Sequence, residues 1–169
     1  MASATEAILI TLDPTHEGGY QCVHGDRANW TGGQVGVGEL VGTNGGITAL
    51  DMPGADIKNL TTDQKVDYYS KNYWKSLYSQ ISSQPVANKL FDMGVLFGVG
   101  TAVKALQRAL GIDDDGLFGP NTLAMTNAAN EDSLLFNFRK EMHDHATSVA
   151  AANPSEAAFL PDWSRRIDS

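Results

Sequence analysis

The sequence predicts a mainly α protein with one small, glycine-rich, irregular β lobe. Three observations lead there. Apolar stripes at helical spacing recur through the second half, the 17 glycines gather mostly before residue 55 and after residue 92, and residues 18–54 sustain no helical period. At 169 residues the chain suits a single domain with a lobe, because two fully independent domains would be cramped.

Residues 3–12, SATEAILITL, offer Ser3 or Thr5 as a helix cap and a mostly apolar stripe, predicting a short buried helix that runs into Asp13-Pro14. The β-branched Ile8, Ile10 and Thr11 keep a strand open there. Residues 18–54 read as a functional loop or small β lobe, with extended pieces such as residues 34–41 between glycine turns. Residues 61–78, TTDQKVDYYSKNYWKSLY, begin with a threonine cap and set Val66, Tyr69, Tyr73 and Trp74 near one helical stripe, mostly as core, with one or two aromatics left for a groove. Residues 86–97 form an apolar helix into which Asp92 intrudes, so Asp92 is either paired in the core or faces a cleft. Gly98-Val99-Gly100 breaks the chain, Thr101 caps AVKALQRAL, and Gly111 ends that helix in a left-handed cap. Pro120 opens a helix over 120–129. Residues 131–149 form the longest helix, with Leu134, Leu135, Phe138, Met142 and His145 at core spacings, and Pro154 and Pro161 halt regular structure before the terminal DWSRR.

Composition narrows the function. A formal charge of -8, with no run of Lys or Arg, disfavours nucleic acid. A lone cysteine, Cys22, rules out an internal disulfide and weakens any cysteine-based zinc site. No stretch reaches 18 apolar residues and residues 1–12 hold no basic segment, so neither a membrane span nor a standard secretory signal is expected. His16 and His24 beside Glu17 raise a metal site, but a coherent third ligand is missing, and His143 and His145 point to different sides of a helix. The DDDG stretch fails as a calcium loop, because position twelve falls on Ala124 or Thr126. No metal and no cofactor are expected.

The stretch DPTHEGGYQCVHGD carries the sharper possibility. Gly18-Gly19 lets the backbone turn tightly after Glu17, and a glutamate beside an apolar wall keeps its proton near neutral pH, as a general acid must. On spacing alone, a solvated surface turn explains the same residues.

HEGGY, followed by Asp26, TGG and GTNGGIT, resembles the signature of glycoside hydrolase family 108, the bacterial and phage N-acetylmuramidases that cleave peptidoglycan. The later run is similar to the predicted peptidoglycan-binding region that follows that signature. It comprises Phe91-Asp92, Gly98 and Gly100, LQRALG, Asp115-Gly116, and Gly119-Pro120 with Thr122. Tyr73-Trp74 also sits in the family's place. The likeness spans Ile8 to about Ala129.

The resemblance implies a lysozyme-like fold. Its 169 residues would divide into a catalytic part, 1–82, with the lobe at 18–54, and a helical part, 83–169, similar to the peptidoglycan-binding region. Glu17 matches the acid that protonates the oxygen between N-acetylmuramic acid and N-acetylglucosamine. Asp26 and Thr43 match residues that place or activate water, with Asp26 equally open to a loop-tying role and Thr43 to capping a turn; Asp51 and Glu39 are outside candidates. The sequence departs from the pattern where QVGVGELV is inserted after Gly33, which separates the glycine pair from Thr43. Tyr20, Asn44, Tyr73, Asp92 and Gln107 are the expected substrate contacts, with burial as the competing role for Asp92 and Gln107 and packing under the turn for Tyr20. Carboxylates about 6.5–9.5 Å apart would invert and about 5–5.5 Å apart would retain configuration, and inversion is favoured. A lytic transglycosylase, giving anhydro-muramic products, and a noncatalytic wall-binding or virion structural module are the alternatives. The expected partner is peptidoglycan, reached by a monomer made in a host or bacterial cytoplasm and delivered by a holin, a secretion system or a virion.

Overall fold

The computed structural model describes residues 1–13, 16 and 18–169. Among these, the regular elements are α1 (Ala4–Thr11), β1 (Tyr20–Gln21), β2 (Thr43–Asn44), β3 (Ile47–Thr48), α2 (Thr62–Asn72), α3 (Gln84–Phe97), α4 (Val99–Leu110), α5 (Pro120–Ala128), α6 (Glu131–Ala152) and α7 (Leu160–Asp168). The chain divides into two compact units, Leu9–Lys71 and a helical unit of Met1–Ile8 with Asn72–Ser169. No helix among the described residues is long and apolar enough to cross a membrane.

The helical unit is built around α3, α4 and α6. Leu90 and Met93 of α3, Val103 and Leu106 of α4, and Leu134, Phe138 and Met142 of α6 are buried together with Ile167 of α7. Their spacings of three and four residues put each set on one helix face, which is the stripe the sequence shows. Local chemistry sets the ends. The Ser83 hydroxyl accepts from the Val86 N–H (3.2 Å) to cap α3, and the Asn130 side chain accepts from the Ser133 N–H (3.0 Å) to cap α6. Gly111, at φ +70°, closes α4, with the Ile112 N–H on the Gln107 carbonyl (3.1 Å).

Four expectations need correction. The helix predicted over 61–78 stops at Asn72 and resumes as a 3₁₀ turn, Ser76–Gln80. The break lets Tyr78 enter the core, where Trp74 and Phe118 meet it edge-on at 5.5 and 4.9 Å. Helix α4 starts at Val99, before Thr101, because Gly98 at φ +92° makes the whole break in one residue. Pro161 does not stop regular structure; it sits in the first turn of α7, where its missing N–H costs nothing. Residues 34–41 form turns, with only Leu40 in a bridge to Trp30.

In the Leu9–Lys71 unit the sheet order is β1-β2-β3, antiparallel throughout. Thr43 faces Thr48 and Asn44 faces Ile47, leaving Gly45-Gly46 as a two-residue turn. Both glycines have positive φ, +57° and +77°, as a hairpin turn matched to strand twist requires. Helix α2 opens with a reciprocal cap: the Thr61 hydroxyl accepts from the Gln64 N–H (3.2 Å), and the Gln64 side chain accepts from the Thr61 N–H (2.9 Å).

Candidate functional site

Within the Leu9–Lys71 unit, Tyr20, Asp26, Thr43 and Asn44 share one hydrogen-bonded frame, and its centre is Asn29. This residue is fully buried. Its side chain accepts from the Val23 N–H (3.1 Å) and donates to the Asp26 carboxylate (2.7 Å). Its carbonyl accepts from the N–H groups of Val41 (2.9 Å) and Gly42 (3.0 Å), the residues immediately before Thr43. Asn29 therefore joins the Asp26 turn to the strand that carries Thr43.

The inserted stretch after Gly33 does not pull this frame apart, because it closes on itself. The Thr31 N–H donates to the Glu39 carbonyl (2.9 Å), the Thr31 hydroxyl accepts from the Glu39 N–H (2.8 Å), and Trp30 bridges to Leu40. The excursion leaves and returns at one neck, so Val41 and Gly42 reach Asn29 despite the added length. Glu39 is part of this neck. Asp51, the other outside candidate, accepts from the N–H (2.9 Å) and hydroxyl (2.8 Å) of Thr48 and so ties its own turn.

Glu17 lies outside the described residues. The chain just after it is anchored: the Gly19 carbonyl accepts from the Gly45 N–H (3.3 Å), and Tyr20 and Gln21 pair with Asn44 and Thr43. Tyr20 is 40% exposed, with the Lys58 ammonium 5.9 Å from the ring centroid. A hydrogen bond with the Cys22 side chain, then desolvation, holds its phenol above the ordinary value. A Cβ on Gly42 would come within 2.7 Å of the Tyr20 ring and 2.4 Å of the Gln21 carbonyl oxygen, so glycine is required beneath that ring.

Asp26 accepts from the Ala28 N–H (2.9 Å) on one carboxylate oxygen and from Asn29 on the other. These bonds fix its orientation while each oxygen keeps a lone pair for a further donor. Thr43 is 7% exposed, held between β1 and β3. Asn44 acts as a pin: its NH₂ donates to the carbonyls of Ile57 and Lys58 (both 3.0 Å), and its oxygen accepts from the Lys65 ammonium. A sugar would reach that amide only by displacing those bonds. Burial pushes the Lys65 ammonium below its ordinary value, and the buried Tyr69 hydroxyl donates to the Gly45 carbonyl (2.8 Å), so α2 grips the hairpin.

The remaining expected contacts belong to the helical unit, where Asp92 and Gln107 take the structural role. Asp92 is buried and accepts from Nε (3.1 Å) and Nη2 (2.9 Å) of Arg166, itself buried. Lys89 lies in the same cluster, donating to the Arg166 carbonyl (2.9 Å), and desolvation lowers its pKa to about 8. Gln107, 2% exposed, organises the loop before α5: its NH₂ donates to Asp115 (2.7 Å), the Leu117 carbonyl (3.1 Å) and the Thr122 hydroxyl (3.1 Å), and its oxygen accepts from the Gly116 N–H (2.9 Å). The Leu117 N–H, then Gln107, hold the Asp115 carboxyl below its ordinary range. Neither Asp92 nor Gln107 presents a polar surface to a ligand. Tyr73 is half-buried just beyond α2.

Among the described residues, no cluster of three His, Cys, Asp or Glu side chains has metal-holding geometry. His24 packs edge-on against Trp30 at 5.0 Å, and His143 bonds to Asp168 (2.7 Å). Sequence reasoning missed Asn29 and Arg166. An asparagine three residues after an aspartate was the available signal for the first; for the second it was only a pair of arginines in the final helix, with nothing to say which of them turns inward.

A family model described as Glycosyl hydrolase 108 matches residues 13–98, and one described as Predicted Peptidoglycan domain matches residues 101–168. No curated protein matches the chain in sequence. Among solved structures, SagA of Brucella abortus is similar in fold, with a TM-score of 0.71 and 24% identity over 98% of this chain and 89% of that one. Seven α-helices and one small three-stranded antiparallel sheet among the described residues fit the mainly α, lysozyme-like fold class expected. With just over half of its length matched, the chain belongs to glycosyl hydrolase family 108 and is a peptidoglycan-hydrolysing glycosidase.

Proposed function

We propose that the chain is an N-acetylmuramidase, cutting the β-1,4 bond between N-acetylmuramic acid and N-acetylglucosamine with Glu17 as general acid. The observation that carries this reading is the Asn29 cross-tie, which couples the Asp26 turn to the Thr43 strand while the chain after Glu17 pairs with that same strand. A hydrolytic site needs its acid and its water-side group on a rigid frame, since misplacement by about 1 Å can cost about 100-fold in rate.

In this mechanism Glu17 gives its proton to the glycosidic oxygen as the bond to the muramic C1 breaks. Water attacks C1, its orientation set by the Thr43 hydroxyl, and Asp26 accepts the water proton through an oxygen lone pair not used by Ala28 or Asn29. Tyr20, exposed beside the hairpin, offers an amphipathic ring to a sugar face. The enzyme acts on cell-wall peptidoglycan.

The direct test is Glu17→Gln, which keeps size and polarity but removes the proton. It should abolish release of reducing sugar from purified peptidoglycan while leaving the thermal transition and sedimentation with the wall intact. A variant that still releases reducing sugar, or one that loses fold and binding together with activity, would sink the assignment.

A further inference from the structure

The helical unit holds a solvent-open cavity of about 220 Å³ between the end of α4, α5 and the start of α6, with Met125, Ala128, Asn130, Ser133 and Asn137 exposed around it. Its lining mixes apolar residues, Leu110, Met125, Ala128 and Leu134, with Asn130, Ser133 and Asn137, which recur at helical spacing. The Asn130 oxygen is used by the Ser133 N–H, which leaves its NH₂ as a donor. Asn137 supplies both a donor and an acceptor, and the Ser133 hydroxyl can serve as either.

Three features define the occupant. The cavity is smaller than the roughly 300–1,000 Å³ of a site that engulfs a drug-sized ligand, so it takes one group of a larger molecule. No charged side chain lines it, so nothing there pairs with a carboxylate of a stem peptide or a muramic lactyl group. The pairing of apolar residues with amide and hydroxyl groups matches a secondary acetamide, whose methyl needs an apolar seat while its carbonyl and N–H need a donor and an acceptor.

We propose that this cavity is a glycan-binding subsite that seats the acetamido group of an N-acetylglucosamine unit. It lies wholly within the stretch matched by the peptidoglycan model, residues 101–168, and its assignment to glycan rests on the muramidase reading. The role is to hold the polymer by a neutral contact, which a chain of charge -8 needs against an anionic wall.

The test is amide NMR of the full chain carrying Glu17→Gln, titrated with the β-1,4 trimer of N-acetylglucosamine and, separately, with cellotriose, the same neutral backbone without acetamido groups. The acetylated trimer should shift Leu110, Met125, Ala128, Asn130, Ser133 and Asn137, and cellotriose should not. Ala128→Trp, which fills the cavity from an exposed position, and Asn137→Leu, which removes its donor and acceptor, should each weaken the affinity read from these shifts by at least about tenfold, or roughly 1.4 kcal/mol. Absent shifts at these residues, equal shifts with cellotriose, or unchanged binding in both variants would overturn the subsite. Muropeptide release by the wild type is measured in parallel. Release without shifts defeats the subsite alone, and shifts without release defeat the muramidase reading alone.

Discussion

Replacing Arg166 by methionine removes the guanidinium that donates through Nε and Nη2 to the buried Asp92 carboxylate. The change keeps an apolar stem of similar length to that of arginine and deletes the guanidinium, so its cost reports mainly the stranded charge. Removing one partner of a buried ion pair costs about 3–5 kcal/mol, a large share of the roughly 5–15 kcal/mol that holds a domain folded. In a chain of this size each kcal/mol moves the midpoint by about 2–4 °C, so the loss should reach about 6–20 °C. Calorimetry of wild type, Arg166→Met and the double variant Asp92→Leu/Arg166→Met supplies the readout. The double variant should recover part of the loss, since it removes the stranded carboxylate but leaves the buried Lys89 ammonium without Asp92 beside it. A midpoint for Arg166→Met within about 2 °C of wild type, with an unchanged far-ultraviolet spectrum, would refute the view of this pair as a structural lock.

Two further outcomes follow from the same geometry. Burial lowers the Lys89 pKa in the fold to about 8, well below that of a solvated lysine. Below pH 8 both states hold the proton and this group contributes no slope; between pH 8 and its unfolded value the unfolded state binds more protons, so stability rises with pH by on the order of 3 kcal/mol in total. Urea titrations from pH 7 to 10 should show that rise, and Lys89→Met should flatten it; parallel profiles would contradict it. The range stops at pH 10 because burial raises the Tyr78 pKa, and that residue lowers stability once the unfolded phenol ionises. Gly42→Ala would place a methyl against the Tyr20 ring and Gln21 carbonyl at φ +82°, so it should cost about 1–3 kcal/mol and lower peptidoglycan hydrolysis at least tenfold. Full activity in Gly42→Ala would show that the Tyr20 position is immaterial.

Local chemistry made much of the fold legible. The Thr61-Gln64 cap, Gly111, Pro120 and the α4 and α6 stripes act over one or two turns, and each is where the sequence puts it. Longer-range pairing was not legible. Asp92 announces itself as a charge in an apolar helix, but its partner stands 74 residues later in a segment that two prolines and a short polar tail disguise as irregular. The inserted loop misleads for a related reason: alternating valine and glycine resembles a strand, yet closure through Thr31 and Glu39 turns it into a tight excursion. In the site, the hairpin glycines, Tyr20 and Asp26 stand out by residue type. Asn29, an ordinary polar residue, earns its place only through its contacts with segments on either side of that loop.

The central claim is hydrolysis at the muramic acid C1 through Glu17. Its most direct measurement is mass spectrometry of borohydride-reduced muropeptides released from purified peptidoglycan in heavy-oxygen water by wild type and by Glu17→Gln. One heavy oxygen at the reducing muramic acid, absent with the variant, is the predicted result. Anhydro-muramic ends, label at N-acetylglucosamine, or equal release by the variant would contradict it.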